Sequence, residues 1–295
     1  MEGLNLAEQG HSGGISEHLQ YWSISFDDSN PFMQLHLDTM LLTILIATGL
    51  IAFAAWLRGR LVAETAPTGT QNFMESVIEF INQTVNDNFP VNNPLIAPLA
   101  LTIFVFILLC NTLDILPAYL MHHVADLFGL PRFRQVPTND LNLPVAMALS
   151  VFILVLYYEF KLKPVHFMKE LLLQPFASLL LNSGNPLVKF LGVLLIPLNL
   201  ILKLIEELAK PLSLSFRLFG NMFAGEVIFL LIASLLLADK LDDVMSVGGA
   251  ISEFMGLLVG LGWSMFHMFI GLLQAFIFMI LSVVYLSIAH QPAEH

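Results

Sequence analysis

Two apolar runs near the end of the chain carry polar groups that can bind or move a proton: Arg217 and Glu226 in the first, His267 and Gln274 in the second. A guanidinium keeps its charge at any physiological pH. Placing one in hydrocarbon costs about 3 kcal/mol or more, so it is kept for binding, transport or a fixed ion pair. A carboxylate and an imidazole change protonation when their surroundings tune them. The combination suits proton exchange next to a cation that never loses its charge.

Helical geometry sorts these groups. At 100° per residue, Ser213, Gly220, Asn221 and Ala224 fall within about 60° of Arg217, whereas Glu226 points about 180° away. Arg217 and Glu226 therefore cannot form an intrahelical ion pair. Small residues on the Arg217 stripe let a neighbouring helix come close. On the second run His267 and Gln274 share a face with Gly260, Ser264 and Gly271. Between the runs lie Asp239, Asp242, Asp243 and Gly248-Gly249, an acidic turn that makes the pair an antiparallel hairpin. In that hairpin Glu226 is level with His267, and Arg217 with Gln274. Nine residues of rise separate the two levels by roughly 13 Å. A proton arriving from outside reaches the ionisable level first, and Arg217 bars it from passing straight through.

The elements that hold these groups follow from composition. The 295 residues are 57% hydrophobic and 12% charged, with a mean hydropathy of +0.78, which describes a polytopic membrane protein. A single cysteine, Cys110, excludes a disulfide framework and argues against a thiol-based active site. The net charge of −11 argues against nucleic acid as a partner. The first 30 residues carry Glu2, Glu8, Glu17, Asp27 and Asp28 without Lys, Arg or an apolar core, so no signal peptide is expected.

Uncharged stretches at 39–57, 94–113 and 141–158 are long enough to cross a bilayer. Between the first two, Phe73, Val77, Ile81 and Val85 recur every four residues while Glu75, Glu79 and Asp87 punctuate the run, so 70–89 reads as an amphipathic interfacial helix. Residues 171–198, broken by Pro175, Asn182 to Pro186 and Pro197, read as an interfacial or re-entrant connector. The two runs of the hairpin are 198–238, interrupted by Pro211, and 254–289. The second has about 36 residues and would measure roughly 54 Å, against roughly 30 Å of hydrocarbon. Both must lie strongly tilted or be broken. The expectation is one all-α membrane domain over 1–295, with about five membrane-crossing helices plus the amphipathic helix. Arg58, Arg60, Lys161, Lys163 and Lys169 mark the cytoplasmic ends by the positive-inside rule. The tail 1–38 and the loop Asp114 to Asp140 then lie outside, and the C-terminus lies in the cytoplasm.

The run Pro211-Leu-Ser-Leu-Ser-Phe-Arg217-Leu-Phe-Gly-Asn221-Met-Phe-Ala-Gly-Glu226, with His267 and Leu-Gln274-Ala-Phe-Ile-Phe, resembles subunit a of bacterial F-type ATP synthases. Leu95 to Leu109, Val136-Pro-Thr-Asn-Asp140-Leu-Asn142 and Lys169-Glu-Leu-Leu-Leu-Gln-Pro175 match as well, so the likeness covers roughly residues 30 to 290. The resemblance implies a multi-pass stator subunit of the bacterial inner membrane, non-catalytic and without cofactor or metal. Its implied partners are a c-subunit ring, a b-subunit peripheral stalk, the rest of the synthase and membrane lipid. The tilted hairpin would lie against the ring, with Arg217 between two offset proton half-channels. The resemblance also assigns Asn221, Glu226, His267 and Gln274 to the outer path, and Ser213 to the exit. The family often has a further acidic residue after its Asp-Leu-Leu-Pro-like motif; here Asp114-Ile-Leu-Pro117 is followed by Ala118-Tyr119. That shifts the outer inlet toward Asp38, Asp114, His122, His123 or Asp140. Asn182 to Leu195 looks like an insertion.

Other readings carry less weight. Glu206 shares the Arg217 stripe but lies about 16 Å away by helical rise, too far for a direct pair. His122-His123 lacks a third ligand at regular spacing for a metal. A stand-alone secondary transporter or channel would have internal repeats, and an intramembrane hydrolase would have a motif such as H-E-x-x-H; neither is present.

Overall fold

A computed structural model of the chain describes residues 23–25, 34–59, 69–89, 91, 93–115, 135–173, 176, 180, 184–236 and 247–291. The readings made for most of the N-terminal tail, for His122 and His123, and for the acidic turn at 239–243 fall outside these residues. Eight α-helices are described: α1 (Leu37–Arg58), α2 (Thr70–Asn88), α3 (Ile96–Thr112), α4 (Asn142–Leu162), α5 (Pro164–Leu173), α6 (Pro186–Leu194), α7 (Ile196–Leu236) and α8 (Val247–His290). Short 3₁₀ turns cover Leu113–Ile115 and Pro137–Asn139. Four helices, α1, α4, α7 and α8, are long and apolar enough to cross a membrane, and α3 is a shorter apolar helix. The architecture is that of an all-helical polytopic membrane protein.

Several boundaries differ from the sequence reading. A small antiparallel ribbon joins β1 (Ser23–Ser25) to β2 (Gln34–His36), pairing Ser23 with His36, ahead of α1. Pro211 does not interrupt the first long run, because α7 is continuous through it. Proline removes one amide donor, but in hydrocarbon a broken helix would strand several more backbone groups. The same pressure carries α8 back to Val247, so Gly248 and Gly249 lie in its first turn rather than in the loop before it. The connector contains the end of α5 and all of α6. Asn185 caps α6, its side-chain oxygen accepting from the Leu187 amide at 3.2 Å, and Pro186 occupies the position where a missing N–H costs nothing.

The chain divides into two compact units, and α3, α7 and α8 contribute to both. The first unit comprises Met1–Leu61, Phe106–Asp140 and Met222–Leu272. Within it the α7 and α8 segments run antiparallel at close range. The Trp263 indole donates to the Gly225 carbonyl at 3.2 Å, and a Cβ on Gly271 would meet the Met222 side chain at 3.7 Å. The second unit comprises Val62–Val105, Leu141–Asn221 and Leu273–His295. Its core includes Ile81 and Val85 of the amphipathic helix, Ala148, Val151 and Val155 of α4, Leu214 and Leu218 of α7, and the buried face of α8 from Ala275 to Ala289. The His290 ring pins the end of α8. It lies 4.3 Å from Tyr158 and 4.9 Å from Phe89 between ring centroids, and Asn93 donates to its Nε2 at 3.2 Å. Asn199, fully buried, donates to the Leu173 carbonyl at 3.2 Å and so satisfies an orphan acceptor at the C-terminus of α5.

Candidate functional site

The first unit holds a polar network built on the short motif Val136-Pro-Thr-Asn-Asp140. Pro137 pre-sets the 3₁₀ turn, and the Asp140 amide closes it by donating to the Pro137 carbonyl at 3.1 Å. The turn sends three consecutive buried side chains to three different elements. Thr138 donates to Asn111 on α3 at 2.8 Å, and Asn111 in turn donates to the Gly271 carbonyl on α8 at 3.0 Å. Asn139 donates to the Glu226 carboxylate on α7. Asp140 accepts from the Thr39 hydroxyl at 2.8 Å and meets His36 Nδ1 at 2.6 Å. Asp38, 2% exposed, accepts from the Thr39 amide at 2.8 Å in the first turn of α1.

Beside this turn, His267 is buried on α8 and its Nε2 lies 3.1 Å from Asp114 Oδ2. The imidazole sits directly over Gly225, where any Cβ would overlap the ring. Trp263 stacks near it at 6.4 Å between centroids. A glycine is therefore required at 225 for His267 to reach this position. The Asp114 side chain is 38% exposed, so the pair joins a partly open carboxylate to a buried imidazole. That geometry can pass a proton inward from the surface, because each group accepts or donates at the same contact.

The second unit presents Arg217 differently. Leu214, Ser215 and Leu218 of α7 are buried, while Ser213, Arg217 and Asn221 lie exposed on the same helix. Among the described residues no carboxylate comes within ion-pair distance of Arg217. The predicted partner in register, Gln274, is 5% exposed and sits in the tightly packed part of α8 beside Ala275 and Phe278.

Of the residues singled out from sequence, the structure thus brings Asp114 to His267 and joins Glu226, through Asn139, to the motif that carries Asp140. Asp38 is one turn-position away from Thr39, which Asp140 engages. In the structure Asn139 donates to Glu226 and Asp114 meets His267, two contacts that index arithmetic, which set Glu226 level with His267, does not give. Asn111, Thr138, Asn139 and Gly225 were not singled out as site residues. A signal for the first was available: Asn111 ends an otherwise apolar run, where a polar side chain needs a partner.

Fold and site together define a multi-span helical membrane protein that keeps ionisable groups on its longest helices. The chain belongs to the ATP synthase A chain family, whose pattern matches residues 40–287. It is 40% identical over 294 residues to ATP synthase subunit a of Aliivibrio salmonicida (strain LFI1238), covering 96% of each chain. It is 39% identical to the subunit of Aliivibrio fischeri (strain MJ11) with the same coverage, and 40% identical over 284 residues to that of Shewanella amazonensis (strain ATCC BAA-1098 / SB2B), covering 95% of each.

Proposed function

We propose that this chain is the proton-translocating stator subunit of a bacterial F-type ATP synthase, with Arg217 dividing two half-channels that serve a rotating ring of c subunits. The observation that carries the reading is the exposed Arg217 stripe. A fixed cation on a membrane helix, flanked by Ser213 and Asn221 and given no carboxylate by the described residues of its own chain, calls for a counter-charge from outside.

A ring carboxylate supplies that charge. When it passes Arg217, the guanidinium favours its ionised form, so the proton leaves toward the cytoplasm past Ser213. The next carboxylate is reloaded from the outer side. There Asp114 and His267 take up the proton, and Glu226, held by Asn139, hands it on toward Asn221 and Gln274. Asp38 and Asp140 line the inlet. Each charge moved through the membrane field is worth about 2.3 kcal/mol per 100 mV, and offset channels turn that into rotation. The N-terminus lies outside and the C-terminus in the cytoplasm. ATP chemistry resides in other subunits, and a b-subunit stalk holds this one still.

Membrane vesicles energised with ATP test the reading. Arg217→Ala is expected to abolish proton pumping while the ring still co-purifies with the chain. Normal pumping by that variant would refute the proposal.

A further inference from the structure

The second unit holds a cluster of charged groups that the half-channel account leaves unused. On α7, Lys210 Nζ contacts both oxygens of Glu207 at 2.7 Å. Lys203 Nζ lies 3.0 Å from Glu170 on α5, 3.3 Å from Glu206 and 3.5 Å from Glu207. Both lysines are thereby committed to three carboxylates. A fourth, Glu159 on α4, forms no ion pair or side-chain hydrogen bond among the described residues, and its Oε2 is buried with no partner. The charged groups that act on it are Glu207 and Lys210 from α7, Glu170 from α5, and Lys163 just beyond its own helix.

A buried acceptor without a donor is rare in proteins and marks a place for a proton or a water. Carboxylates also outnumber the lysines bound to them, so one member of the cluster can hold a proton without breaking an ion pair. A cavity of about 10 Å³, at the lower end of what one water needs, lies among Val155, Lys210, Pro211, Leu214 and Tyr285. Leu214 is one turn from Arg217, and Val155 is one turn from Glu159 on the same face of α4.

We infer that Glu159 is a proton-binding site on the release side of the pathway, where it takes up protons leaving the neighbourhood of Arg217 and passes them to the surface beside the Glu207–Lys210 pair. The inference rests on the stator reading for its direction. Only a proton moves: the Glu159 carboxylate gains it from the Arg217 side and loses it to water outside.

The test measures ATP synthesis by the complete complex in vesicles, driven by an imposed gradient, as the pH on the release side is varied. Glu159→Gln is expected to slow synthesis several-fold and to remove one titration from the release-side profile, with ring assembly unchanged. Glu159→Asp, which keeps the acid, is expected to recover most of the rate with its profile displaced. A Glu159→Gln variant with normal rate and profile, or a slower one whose profile is unchanged, would overturn the inference. If glutamine blocks assembly, Glu159→Asp decides alone: a displaced profile supports the site and an unmoved one refutes it. Arg217→Ala in the same vesicles separates the two ideas, since normal transport there defeats the stator reading whatever Glu159 does.

Discussion

The polar network around Asp140 and the stripe around Arg217 treat charge in opposite ways. In the first unit Asp140, Glu226 and His267 each meet a partner from another element of the same chain, and two of these contacts radiate from one five-residue motif. In the second unit Arg217 stands exposed with no carboxylate of its own among the described residues. Groups partnered within the chain are positioned to exchange protons with one another; a cation that the described residues leave unpaired is available to a partner from outside. The difference separates residues whose substitution should disturb the fold from residues whose substitution should disturb only transport.

The largest effect that would break this contrast comes from Gly225. Adding a methyl group there overlaps the His267 ring, and overpacking of this kind costs about 1–3 kcal/mol while pushing the imidazole away from Asp114. Gly225→Ala is expected to reduce ATP-driven proton pumping more than tenfold in the purified complex, by order of magnitude for a displaced proton-transfer group. Pumping at the normal rate would show that His267 is only a packing residue.

Thr138→Val comes next. It leaves the Asn111 oxygen buried without its donor, a loss of about 1–3 kcal/mol that a lowered thermal midpoint of the complex would register. An unchanged midpoint would mean the network is not structural. The smallest stability effect is expected on the other side of the contrast: Ser213→Ala and Asn221→Ala, both exposed, should shift stability by no more than about 0.5 kcal/mol. Their transport rates should fall nonetheless, and a variant that lost stability without losing transport would reverse the assignment.

Much of this was legible in the sequence. Hydrophobic run lengths locate the crossing helices, because a bilayer demands about 20 apolar residues per span. The 3.6-residue period separates Arg217 from Glu226, and counting back from the turn puts Glu226 level with His267, one residue from the Gly225 that the ring covers, since antiparallel helices keep level by index. What stayed hidden depends on contacts between distant segments. Nothing local to Asn111 says that Thr138 and Gly271 will meet it, and nothing near Asp114 points to His267. Pro211 misled for a related reason: its local propensity to break a helix is overridden by the cost of bare backbone in hydrocarbon. The excess of Glu159 over its neighbouring lysines also emerges only once α4, α5 and α7 are brought together.

The central claim is that the Arg217 stripe faces an external ring, and disulfide mapping tests it most directly. The chain's only cysteine, Cys110, is buried and can be replaced by alanine to give a clean background. Single cysteines at Ser213, Asn221 and Ala224 should then cross-link to cysteines on the lipid-level helix of the small ring subunit in native membranes. Cysteines at Ser215, Leu218 and Met222, on the buried side, should not. Cross-linking from the buried positions, or none from the stripe, would contradict the account.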